Sequence, residues 1–108
     1  MAEEALVVFA TFPDADTARR IVRTLVEERL AACGNLVPAV ESIYRWEGKV
    51  NTASEVLAVL KTDLGHYRAL EARLAALHPY EVPECLAVRV EEGLPAYLHW
   101  LTAAVNAP

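Results

Sequence analysis

Residues 5–12 read Ala-Leu-Val-Val-Phe-Ala-Thr-Phe, an apolar run that stops at Pro13. Its length and β-branched content predict a strand buried on both faces. Asp14 then offers an N-cap, and Ala18, Ile21, Val22, Leu25, Val26 and Arg29 repeat at the spacing of one helical stripe. That helix is expected to end near Gly34. From Asn35 to Trp46 the chain reads as extended, with Pro38 marking an edge or bulge and Glu47-Gly48 a turn. The returning strand alternates Glu55, Leu57, Val59 and Lys61 on one face with Val56, Ala58, Leu60 and Thr62 on the other.

Asp63 can cap a second helix whose stripe is Tyr67, Leu70, Leu74 and Leu77, and Pro79 stops it. Leu86–Val90 predicts the last strand. Gly93, Leu94 and Pro95 open a third helix, with Leu94, Tyr97, Leu98, Leu101 and Val105 on one side and Trp100 flanking them. The order βαββαβα predicts an α+β ferredoxin-like sandwich, a four-stranded antiparallel sheet with two helices on one face and an extra C-terminal helix. Two helices bury one sheet face. The second face is therefore expected to meet the third helix or a neighbouring subunit.

Apolar residues make up 55% of the 108-residue chain and charged residues 23%, a balance that also favours buried surface between subunits. A formal charge of −5, with ten scattered Lys and Arg, argues against nucleic acid as a partner. No apolar run approaches the roughly 18 to 20 residues of a membrane span. Glu3 and Glu4 stand where a signal peptide would be basic, so the expectation is a cytoplasmic protein without a membrane partner. Cys33 and Cys85 form no CxxC pattern and read as reduced, packed thiols, Cys33 at a helix end.

His78-Pro79-Tyr80-Glu81-Val82-Pro83-Glu84 is the densest cluster of chemical groups in the chain. Its two prolines fix a rigid connector from which the polar groups project in set directions. His78 is a candidate metal ligand, joined by Glu81, Glu84 or groups from another subunit. The competing reading is a helix-end histidine favoured by the dipole. Glu55 and Lys61 lie at the two ends of an apolar strand face and need partners there. Either they form an intersubunit salt bridge, or Glu55, Lys61, Tyr44, Trp46, Tyr80 and Glu84 line a cleft between subunits that takes a small polar ligand or metal. No Gly-rich phosphate loop, nucleophile elbow or HExxH spacing is present, so no enzyme activity is expected.

Leu30-Ala31-Ala32-Cys33, Tyr44-Arg45-Trp46-Glu47-Gly48-Lys49, Lys61-Thr62, His78 to Glu84 and Tyr97-Leu98-His99-Trp100-Leu101 together resemble the CutA divalent-cation-tolerance family. The resemblance runs from about Val7 to Leu101 and implies one CutA-like domain over residues 1–108. It also implies a compact homotrimer with a PII-like assembly and a role in copper or other divalent-metal tolerance. Copper-binding members are associated with a cysteine on the first strand and paired histidines before the Pro-Tyr. Here Ala10 and Leu77 stand at those places and only His78 carries over. The expectation is a weak site for copper or another divalent cation, held by His78 and supplemented by Glu84.

Overall fold

A computed structural model, which describes residues 4–106, contains the expected sequence of elements. They are β1 (Ala5–Phe12), α1 (Ala15–Glu27), β2 (Cys33–Trp46), β3 (Lys49–Asp63), α2 (Leu64–Leu77), β4 (Leu86–Arg89) and α3 (Pro95–Asn106). Both expected caps form. The Asp14 carboxylate accepts the Thr17 N–H at 2.7 Å and that of Asp63 accepts the His66 N–H at 3.0 Å, each satisfying a donor that the first helical turn leaves free. The hydrogen bonds from Thr17 hold the Asp14 carboxyl below its usual range.

The four strands pair antiparallel in the order β2-β3-β1-β4, the ferredoxin-like arrangement. One sheet face carries Val8, Ala10 and Phe12 from β1 and Val56, Ala58 and Leu60 from β3. Ala18, Ile21, Val22 and Leu25 of α1 and Leu70 and Leu74 of α2 close over it to form the main core. Each fully buried large side chain here contributes about 1.5–3 kcal/mol. Gly34 allows this layer to close, because a Cβ there would stand 2.5 Å from Val22 Cγ1 and 2.8 Å from Leu60 Cδ2.

The first helix ends earlier than its stripe predicts, at Glu27 and not near Gly34. Arg29 adopts a positive φ of 62°, the Arg29 N–H donates to Val26 O, and the Leu30 N–H donates to Leu25 O. This is a Schellman turn, built without the glycine that usually announces it. Arg29 therefore leaves the stripe, and Cys33 becomes the first residue of β2 instead of a helix-end residue.

Among the described residues the opposite sheet face is covered at one end only. There α3 packs Leu101 and Val105, with Leu98 and Ala104, against Ala5, Ala32 and Val90. Leu94, Tyr97 and Trp100, assigned to or beside the stripe of this helix, are exposed. Beyond its reach the cross-strand rows Val37–Leu57 and Phe9–Leu86 continue the apolar face, and Val88 sits across from Val7. Val37, Leu86 and Val88 on this face are all exposed.

From Glu55 to the turn, β3 has only β2 beside it, so the hairpin projects as a two-stranded ribbon from a molecule measuring 46 × 26 × 22 Å. Glu47 and Gly48 both take positive φ at its tip, the geometry of the hairpin turn expected there. Near its base, Val37 pairs with Leu57 but Val40 pairs with Glu55, so β2 holds one residue more than β3. That bulge falls at Pro38-Ala39, with Ala39 at φ 62°. Because strand side chains alternate, the extra residue reverses the facing of everything beyond it. Ser42, Tyr44 and Trp46 are thereby brought to the face that carries Glu55.

Candidate functional site

The part of β2 beyond the bulge, Glu55 of β3, the end of β1 and the loop after α2 line an open groove of about 580 Å³. From β2 come Ser42, Ile43, Tyr44 and Trp46, from β3 Glu55, and from β1 Thr11. The rigid Pro79–Pro83 segment supplies Tyr80, Glu81 and Val82, with Glu84 just beyond. Tyr44, Trp46, Glu55, Tyr80 and Glu84, which the sequence nominates for one cleft, thus share one wall-lined space in a single chain. Thr11, Ser42, Ile43 and Val82 were not foreseen. Thr11 is the one polar residue in the β1 run, which was an available signal.

Glu55 is only 8% exposed. The Tyr80 hydroxyl donates to its Oε2 at 2.6 Å. Burial, followed by the bond to this carboxylate, pushes the Tyr80 phenol well above its usual range, so it remains a donor throughout neutral pH. Lys61 stands on the same strand face, but roughly 20 Å further along at about 3.4 Å per residue. Its ammonium donates to the Asn35 side chain, and it does not line the groove.

His78 forms the buried back of the Tyr80 wall. Its ring stacks on Phe12 at 4.8 Å between centroids and touches the Tyr80 ring at 4.7 Å. Nε2 lies 2.8 Å from Thr11 O, and Nδ1 accepts the Tyr80 N–H at 3.1 Å. These partners define the Nε2–H tautomer, and both ring nitrogens are engaged. A metal ion on His78 would have to displace one of them. Among the described residues no three His, Cys, Asp or Glu side chains converge as a metal-holding group. Within the described chain the donor set therefore does not fit a resident metal ion.

The two thiols lie apart from the groove. Cys33 Sγ is 3.6 Å from the Tyr97 hydroxyl and Cys85 Sγ is 3.7 Å from that of Tyr67. Burial pushes the Cys85 thiol up, which disfavours the reactive thiolate. Among the described residues no helix is long and apolar enough to cross a membrane.

An antiparallel βαββαβ sheet with two helices on one face, a third helix on the other and a groove beside a projecting hairpin defines a ferredoxin-like α+β protein. The family model described as CutA1 divalent ion tolerance protein matches residues 6–104, and the chain belongs to that family. It is 50% identical over 95 residues to the divalent-cation tolerance protein CutA of Thermus thermophilus, covering 88% of this chain and 92% of that one. Protein CutA of Mus musculus is 48% identical over 93 residues, covering 86% of this chain. The chain spans about half, 52%, of the mouse protein's length. The crystal structure of CutA from Xylella fastidiosa superposes with a TM-score of 0.91 at 46% identity, covering 94% of this chain and 97% of that one.

Proposed function

We propose that the protein is a non-catalytic divalent-cation-tolerance protein that acts as a cytoplasmic homotrimer. Support for the assembly comes from the half-covered sheet face, with Val37, Leu86 and Val88 exposed, and from the aromatic ribbon beside it. In such a trimer the groove becomes a cleft between subunits, and Lys61 reaches it only from a neighbouring chain. Copper or another divalent ion binds weakly, with Glu84 at the exposed rim and with His78 when Nδ1 releases the Tyr80 N–H. The remaining donors come from a second subunit.

Calorimetric titration of the metal-free protein with copper(II) and zinc(II), beside His78→Ala and Glu84→Gln, tests this. The expected result is weak, poorly selective binding that both substitutions weaken. Affinity left intact in both variants would place the metal contact elsewhere.

The groove favours a second reading, a signalling or scaffold trimer that holds a small molecule or partner protein in the same cleft. Its volume of about 580 Å³ suits a small organic molecule, and its aromatic lining exceeds what a lone ion requires.

A further inference from the structure

The groove contains an unbalanced charge. Glu55, Glu81 and Glu84 line it, and none of its lining residues is Lys, Arg or His. Glu55 is the most telling of the three. Its Oε2 takes the neutral Tyr80 hydroxyl, and among the described residues it has no other donor. Its second oxygen is not sealed from solvent, since no buried side-chain oxygen among the described residues lacks a partner. A carboxylate this withdrawn from water calls for a positive partner, and the groove offers none of its own.

The walls indicate the kind of cation. Divalent ions require several donors converging within coordination distance, and no three such side chains converge among the described residues. Tyr44, Trp46 and Tyr80 instead present aromatic rings, whose faces attract organic cations and pack against their stems, and Val82 adds aliphatic surface. We infer that the groove binds a small organic cation, a primary ammonium or guanidinium group on an aliphatic stem. The charged head is held by Glu55, and the Tyr80 and Tyr44 rings lie along the stem. This rests on the second reading above, in which the groove is a ligand cleft.

The test uses n-butylguanidinium and n-butylammonium as probes of the metal-free protein, with n-butanol and butyrate as neutral and anionic controls. Binding is read by calorimetry. In calorimetry both cations are expected to bind, while the controls do not. Glu55→Gln keeps an acceptor for Tyr80 and the same shape, and should weaken cation binding on the order of tenfold with the melting transition retained. Butanol binding as well as butylammonium would overturn the cationic assignment while leaving the cleft in place. If no probe of any charge binds in calorimetry, the cleft reading itself fails. Binding that appears only after Lys61→Ala would identify a neighbouring subunit's lysine as the groove's cation and overturn the proposal.

Discussion

The Tyr80 hydroxyl donates to Glu55 across 2.6 Å and ties the Pro-Tyr loop to the base of the hairpin. The same loop is anchored from behind by His78, which spans from Thr11 O to the Tyr80 N–H. Groove geometry therefore depends on a relay of polar contacts joining three separate segments of chain.

Tyr80→Phe removes the only described donor to a buried carboxylate. It should cost about 1–3 kcal/mol at neutral pH, measured by denaturant unfolding. The pH dependence has a definite sign. The folded phenol holds its proton above the unfolded value near 10, so its contribution is complete below about pH 10 and is lost as pH rises beyond it. Tyr67 is raised in the same direction, first by burial and then by its bonds to Cys85 and Glu71. From about pH 9 to about pH 11 the unfolding midpoint should fall in the parent protein, and fall less in Tyr80→Phe and Tyr67→Phe. Equal losses in all three would exclude these phenols as the cause.

Trp46 is 42% exposed in one chain and shares one face of the projecting ribbon with Tyr44. Light scattering should report a trimer, and Trp46→Ala should weaken it by about 2 kcal/mol, as an interface anchor does. A monomeric mass at micromolar concentration would refute the assembly.

Gly34→Ala should destabilise the fold by about 1–3 kcal/mol through overpacking. The added methyl meets Val22 and Leu60, both held in the main core. Thermal melting checks it. An unchanged midpoint would mean that α1 can move off the sheet at little cost.

Ala39→Gly should leave stability unchanged or raise it by up to about 1 kcal/mol, because glycine adopts the positive φ of the bulge without Cβ strain. The comparison is Ala39→Val, which should destabilise and also perturb Trp46 fluorescence, since a β-branched residue opposes that backbone and the bulge sets the facing of Trp46. Equal melting of the two variants would argue against a strained bulge.

Local signals in the chain sufficed for the scaffold. Pro13, Asp14, Asp63 and Pro79 act within a turn of where they stand, and Glu47-Gly48 closes its own hairpin. Their consequences were therefore readable from neighbouring residues alone. The end of α1 was not, because its Schellman turn uses Arg29 at a position where side-chain identity gave no warning.

The candidate site divides along the same line. A cleft between subunits lined by Tyr44, Trp46, Glu55, Lys61, Tyr80 and Glu84 was one of two readings the sequence allowed, whereas the meeting of five of them in one chain depends on one extra residue at Pro38-Ala39 that reverses β2. The occupation of His78 was decided only by the tertiary structure, since its Nε2 partner is a backbone carbonyl 67 residues away in sequence. So was the separation of Lys61 from the groove, because a shared strand face fixes direction but not distance. Sequence specifies what each residue can bond and which way a local segment turns. Long-range packing decides which of those bonds are already taken.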